Sequence, residues 1–207
     1  MLAQSARDRL DEPAADPIAR FVTWLDAAKA VGAERLPEPT AFLLATATPE
    51  AVPSVRAMLL KGVDDDGFVF YTNYTSRKAG ELLANPRAAM VFHWQPLERQ
   101  VRVEGDVSKV TDAEADAYFA SRARISQLGA WASLQSQPMP DPGALDRRFA
   151  EFEAKFAGGD VPRPPHWSGF RVAPRAIEFW LAKPGRLHVR HRYTPSGKGW
   201  KIDTLFP

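Results

Sequence analysis

The stretch "FVFYTNYTSRKAGELLANPRAAMVFHW", residues 68–94, sets two textures side by side. "FVFYTN" and "AAMVFHW" are dense in aromatic and β-branched residues, which suit a pleated, half-buried surface. Between them "SRKAGELLANP" reads as a short helix. Asn85-Pro86 ends it, because proline disfavours the α region for the residue before it. The strand texture recurs on both sides, in "AFLLATA" (41–47), "SVRAMLLKG" (54–62) and "RQVRVEGDVSKV" (99–110). "VDDDGF" (63–68) is a tight turn between two such runs. The middle of the chain is therefore expected to be a mostly antiparallel sheet, folded as a barrel or sandwich.

Helical signals flank this sheet. In "DPIARFVTWLDAAKAVG" (16–32), Asp16 is placed to cap and Pro17 to sit in the first turn, with Ile18, Phe21, Val22 and Leu25 as an apolar stripe. "TDAEADAYFASR" (111–122) opens with a capping box, Thr111 to Glu114. Residues 143–157 place Leu145, Phe149, Phe152 and Phe156 at helical spacing. After the proline-rich loop "GGDVPRPPHW" (158–167) the tail returns to strands: "GFRVAP", "AIEFW", "GRLHVRHRY" (185–193) and "WKIDTL", with a turn at "PSGKG". This predicts an α+β chain, with one domain over residues 16–207 and a polar, mobile segment over residues 1–15.

Composition narrows the function. The chain has 207 residues, 45% of them hydrophobic, with a net charge of +2 and no cysteine. There is no polyanion-binding field, no disulfide and no thiolate site. No apolar run approaches the roughly 20 residues of a bilayer span, and the first residues lack a signal peptide's apolar core. A soluble, cytoplasmic protein is expected. Gly-rich dinucleotide fingerprints, P-loops and nucleophile elbows are absent. Of the four histidines only His188 and His191 are close in sequence. Three residues apart on a strand, they face opposite ways, so no metal is expected.

What remains is a set of anion-binding clusters. Arg56 and Lys61 lie on and at the end of a strand. "YTNYTSRK" runs from a strand into a helix start, where Thr72, Ser76 and free N–H groups suit phosphate, with Arg77 and Lys78 adding charge. Tyr118, Arg122 and Ser126 share one helical face if the helix continues. Within "GRLHVRHRY", read as a strand, Arg186, His188, Arg190 and Arg192 share one face. Leu187, Val189, His191 and Tyr193 share the other. Such a row of cations calls for an anionic or electron-rich partner, unless it is a solvated edge strand. Each cluster alone also suits an ordinary surface; their number suggests two phosphate sites.

"PSVRAMLLKG", "FVFYTNYTSRK", "ERQVRVEG", "YFASRARISQLGAWASLQSQ", "VPRPPHWSGFRV", "IEFW", "RLHVRHRY" and "GWKIDTLFP" occur in this order. Together they closely resemble the pyridoxine/pyridoxamine 5′-phosphate oxidase family, from about residue 16 to Pro207. The resemblance implies an FMN-binding split β-barrel of Greek-key type with packed helices, acting as a homodimer with FMN at the interface. It implies FMN contacts from Arg56, Lys61, Tyr71, Thr72, Arg77, Lys78, Gln100, Gln135, Ser136, Trp180 and Arg190. Lys61, Tyr118, Arg122 and Ser126 would meet the substrate phosphate, and Arg186 and His188 the substrate ring as catalytic residues. The implied reaction oxidises pyridoxine or pyridoxamine 5′-phosphate to pyridoxal 5′-phosphate and reduces dioxygen to hydrogen peroxide. Alternatives are a flavin- or pyridoxal-phosphate-binding protein of the same fold with little turnover, or a related flavin oxidase with another substrate.

Three positions depart from the family pattern. Val189 stands where an acid is usual, and Ile125 where a small polar or charged residue is common. No tyrosine precedes Tyr71 to form the usual N-terminal cover, for which Arg7 or Arg9 is a candidate substitute.

Overall fold

A computed structural model describes residues 12–207. The proposed roles of Arg7 and Arg9 lie outside the described residues. Of the segment expected to be mobile, residues 12–15 are described, and the Tyr193 hydroxyl donates to the Ala14 carbonyl at 2.9 Å.

Helix α1 (Pro17–Lys29) begins as its sequence dictates: Asp16 accepts from the Ile18 and Ala19 amides at 2.8 and 3.3 Å. Its buried face is Ile18, Phe21, Trp24, Leu25 and Ala28. Val22, expected in the stripe, is 37% exposed, because the inward face continues through Trp24 instead. Strands β1 (Ala41–Ala47), β2 (Pro53–Leu59), β3 (Gly62–Asp64) and β4 (Gly67–Asn73) follow. Helix α2 (Arg77–Ala84) leads to β5 (Arg87–Trp94) and β6 (Arg99–Lys109). Helices α3 (Asp112–Ala120), α4 (Arg124–Ala132) and α5 (Ala144–Lys155) precede β7 (Trp167–Leu181), β8 (Val189–Ser196) and β9 (Gly199–Thr204). Phe149 and Phe152 of α5 and Phe156 just after it pack inward as expected, whereas Leu145 is 43% exposed.

The nine strands of the described residues form one antiparallel sheet in the order β2-β1-β5-β6-β7-β4-β3, with β8 on β7 and β9 on β8. The organiser is β7. One edge pairs with β6 from Phe170 to Leu181; the other pairs first with β4 (Trp167–Val172) and then with β8 (Ile177–Leu181). The sequence suggests two strands here, broken near Pro174. They are one, because the proline falls where Glu104 pairs Ala176 and Gly105 pairs Pro174, a bulge that leaves Arg175 out of register.

The sheet curls around α1. Phe21 meets Phe68 and Phe92 edge-on at 4.8 and 4.9 Å. Leu44, Phe70, Met90, Val101, Val103 and Phe179 close the same core. The result is a split β-barrel with packed helices. A smaller cluster (Phe119, Leu128, Ala130, Val161 and Trp167) holds α3, α4 and α5 against one end of β7. No helix among the described residues is long and apolar enough to cross a membrane.

Candidate active site

A cavity of about 710 Å³ opens between β2, β4 and the α3–α4 segment. Such a volume suits a small-molecule ligand. Of the residues expected to bind cofactor, Lys61, Tyr71, Thr72, Lys78 and Gln135 line it. Of those expected at a substrate phosphate, Lys61, Tyr118, Arg122 and Ser126 line it. The route to this arrangement differs from the expected one. The helix through Tyr118 does not continue: α3 ends at Ala120, the chain turns over Ser121–Ala123, and α4 starts at Arg124. The break, not a common helical face, brings Tyr118, Arg122 and Ser126 to one wall.

The electrostatics of this wall are those of an anion site. The Lys78 ammonium is buried and donates to Gln135 Oε1 at 2.8 Å and to Thr72 Oγ1 at 3.1 Å. Burial, and then the charge of Arg56, lower its pKa from 10.5 to about 8. Arg122 is also pulled down by burial. Its Nη1 is buried without a hydrogen-bond partner, which is costly unless a ligand supplies one. Burial raises the Tyr71 phenol as well. Tyr71, Tyr118 and Trp167 lie with their rings parallel within 16°.

Arg56 and Arg77 do not line the cavity. They converge on Glu81, a buried carboxylate not singled out in the sequence. Glu81 accepts from Arg77 Nε at 2.8 Å, from Ser54 Oγ at 2.5 Å, and from the Thr46 hydroxyl; Arg56 Nη2 lies 3.4 Å away. Burial alone would raise its pKa, but the hydrogen bonds from Ser54, Thr46 and Arg77 overcome this and hold it at about 2. Arg56 further donates to the Leu44 carbonyl and Thr46 hydroxyl at 3.1 and 2.6 Å. Its Nη donors are thus engaged within the fold. The five groups Thr46, Ser54, Arg56, Arg77 and Glu81 are spread over three elements, so the hub as a whole is visible only once β1, β2 and α2 meet.

Gln100, Trp180 and Arg190 also stand apart from the cavity. They form a cross-strand row, Gln100 opposite Trp180 and Trp180 opposite Arg190. The row is on the face away from the core residue Phe179, so Trp180 is half-buried there and is not a core residue. Arg190 makes a two-pronged ion pair with Glu178 at 2.9 and 3.1 Å. Its charge therefore has a protein partner, which the sequence did not reveal.

Arg186 and His188 do not lie on the strand with Arg190, contrary to the alternation read from "GRLHVRHRY". Pro184–Arg186 is a 3₁₀ turn in which Gly185 and Arg186 both take positive φ (66° and 62°), and β8 begins only at Val189. The His188 ring instead packs on Trp180 at 4.5 Å. Its Nδ1 accepts from the Lys183 amide at 3.2 Å, so the ring proton resides on Nε2. Arg186 is exposed. From Val189 onward the alternation holds: His191 and Tyr193 are buried and Arg192 is exposed. His191 Nδ1 accepts from Arg20 at 3.2 Å, and no metal-binding group of His, Cys, Asp and Glu occurs among the described residues. Ser136, with φ 72°, lies outside the cavity beside Gln135. Ile125 is 70% exposed and Val189 pairs with Leu181.

Residues 29–156 match the family model described as pyridoxamine 5′-phosphate oxidase. Residues 167–207 match the one described as the pyridoxine 5′-phosphate oxidase C-terminal dimerisation region. The chain is 57% identical to the pyridoxine/pyridoxamine 5′-phosphate oxidase of Rhodospirillum rubrum, covering 93% of this chain and 96% of that one. It is 54% identical to the enzyme of the same name from Bordetella pertussis, covering 95% and 92%. Among solved structures, PhzG from Burkholderia lata, in complex with tetrahydrophenazine-1-carboxylic acid, superposes with a TM-score of 0.88 at 35% identity over 96% of each chain. An FMN-binding protein from Nostoc punctiforme shares the fold, with a TM-score of 0.71 at 16% identity, covering 91% and 96%. The two matched ranges thus follow one another along the chain, and the chain belongs to the pyridoxine/pyridoxamine 5′-phosphate oxidases.

Proposed function

We propose that the protein is an FMN-dependent oxidase that converts pyridoxine 5′-phosphate or pyridoxamine 5′-phosphate to pyridoxal 5′-phosphate, with dioxygen as electron acceptor. The observation that carries this reading is the cavity wall itself. It holds a buried lysine whose charge is disfavoured until an anion arrives, and a desolvated arginine with an unspent Nη1. Two such cations on separate elements, α2 and the α3–α4 turn, fit two phosphates: that of the cofactor at Thr72, Lys78 and Gln135, and that of the substrate at Tyr118, Arg122 and Ser126. Lys61 lines the same cavity. FMN, held at Thr72, Lys78 and Gln135, would supply the redox chemistry, accepting two electrons and a proton from substrate C4′ as a hydride equivalent and delivering the electrons to dioxygen, which leaves as hydrogen peroxide.

The chain's own part is placement. The phosphate wall holds one end of the substrate. His188, protonated at Nε2 and braced by Trp180 and the Lys183 amide, presents a donor for a ring substituent. Arg186 offers a guanidinium for the ring's polar edge. These two and the Gln100–Trp180–Arg190 row do not line the cavity of their own chain. The match to a dimerisation region supports a homodimer in which this C-terminal row of one protomer completes the cavity of the other.

The test is to load the purified protein with FMN and supply pyridoxine 5′-phosphate in air, following pyridoxal 5′-phosphate and peroxide together. Both should form, and unphosphorylated pyridoxine should be used far less well. Absence of both products from the flavin-loaded protein would remove the oxidase reading and leave a binding protein of the same fold.

A further inference from the structure

Arg122 differs from other half-buried arginines, among them Arg148, whose Nε donates to the Ala132 carbonyl at 2.7 Å. Arg163, Arg171 and Arg190 each meet carboxylates. Arg122 forms no ion pair among the described residues. It sits in the turn between α3 and α4, where no helix fixes its direction. Its guanidinium lies instead over two rings, 4.7 Å from the centre of Trp167 and 5.6 Å from Phe119. Trp167 is well placed to serve as a rigid platform. It is 6% exposed, parallel to Tyr71 within 5° and to Tyr118 within 12°, and met edge-on by Phe119 at 5.1 Å. Its backbone is tied on both sides: the amide donates to the Pro164 carbonyl and its own carbonyl accepts from Arg163, each at 3.0 Å.

We propose that Trp167 is a positioning residue for the substrate phosphate, holding Arg122 by stacking so that the guanidinium N–H groups stay available to the anion. The physical logic is one of selectivity. A carboxylate in place of the indole would also fix Arg122, but would spend its donors and cancel its charge. A π face attracts the cation without accepting its in-plane hydrogen bonds. The unpartnered Nη1 is the mark of that arrangement. The inference rests on the oxidase reading above, which supplies the phosphorylated substrate.

The test is a double-mutant cycle in the FMN-loaded enzyme. W167L should raise KM for pyridoxine 5′-phosphate about tenfold, the range of a desolvated cation–π contact. It should leave kcat within about twofold, KM for unphosphorylated pyridoxine unmoved and FMN retained. W167F, which keeps a ring face, should recover most of the loss. In an R122A background, W167L should add less than about twofold, because its effect passes through Arg122. If W167L fails to fold, the same cycle with W167M, which also lacks a ring face, carries the test. Additive losses in the R122A background would overturn the inference, as would equal KM increases for phosphorylated and unphosphorylated substrate. A silent W167L beside a strongly impaired R122A would overturn it alone. An R122A enzyme with unchanged KM for the phosphorylated substrate would overturn the reading of the site, and this inference with it.

Discussion

Replacing Glu81 by glutamine isolates the charge at the hub that ties β1, β2 and α2 together. The carboxyl is 5% exposed and its pKa is held at about 2 against an ordinary 4.5. At about 1.4 kcal/mol per pH unit, the ionised form is favoured in the folded state by about 3 kcal/mol. That agrees in order with the roughly 3–5 kcal/mol lost when one partner of a buried ion pair is removed. Arg77 is too exposed to add much of its own, so the lower end applies. Glu81→Gln should therefore lose about 3 kcal/mol at neutral pH, or roughly 6–12 °C in Tm for a chain of this size.

The sign of the pH dependence is fixed. The folded pKa is depressed, so the contribution is complete above pH 4.5 and disappears as pH falls through about 2. The gap between wild type and variant should shrink to about 2 kcal/mol near pH 3.5. Urea unfolding at matched protomer concentration, at neutral pH and near pH 3.5, measures both values. A neutral-pH gap below about 1 kcal/mol, or one that does not narrow with acid, would show that the hub is held by its uncharged hydrogen bonds.

Lys78 should behave in the opposite sense. Its pKa is lowered to about 8, so its buried charge costs stability below pH 8, and stability rises between 8 and 10.5 as the folded state sheds the proton. Lys78→Met should raise the Tm of the flavin-free protein while weakening FMN binding and leaving riboflavin binding unchanged. Wild-type FMN affinity should fall as pH rises through about 8, readable by flavin fluorescence; equal weakening of both flavins would contradict the phosphate role. For Gly169→Ala, the new Cβ would stand 2.7 Å from Tyr71 Cδ1 and 2.8 Å from the Phe70 carbonyl. Destabilisation of about 1–3 kcal/mol should follow, with KM for the phosphorylated substrate raised as the Tyr71–Tyr118 stack shifts; a Tm within a degree of wild type would show that the ring yields freely. Arg186→Ala should lower turnover strongly with FMN still bound, and parallel loss of flavin would place Arg186 in the cofactor site instead.

Local chemistry made much of this fold legible. Asp16 and Pro17 start α1 because the cap and the proline act within one turn. Thr111 and Glu114 close their box within three residues. The β runs around residues 41–110 were readable because aromatic and β-branched residues recur between turn signals, and "AFLLATA" coincides with β1. Ordered motifs likewise pointed to the family. The misses have two causes, contacts distant in sequence and tight backbone turns that carry no strong residue signature. Pro174 does not break β7, because a bulge opposite Gly105 absorbs it. The positive φ at Gly185 and Arg186 takes Arg186 and His188 off the strand that alternation assigned them.

The sequence by itself determined the element types, the capped helix starts, the absence of cysteine chemistry and the residue types able to bind two phosphates. Such properties are set within a few residues of one another. The tertiary structure alone decided which cations keep free donors. Glu178 holds Arg190 from the neighbouring strand and Glu81 faces Arg56 from α2 across to β2, while Arg122 is left with ring faces and no carboxylate among the described residues. Whether a charge is cancelled or kept for a ligand depends on what packs beside it in space, and that was decided when β7 brought Trp167 beneath the α3–α4 turn.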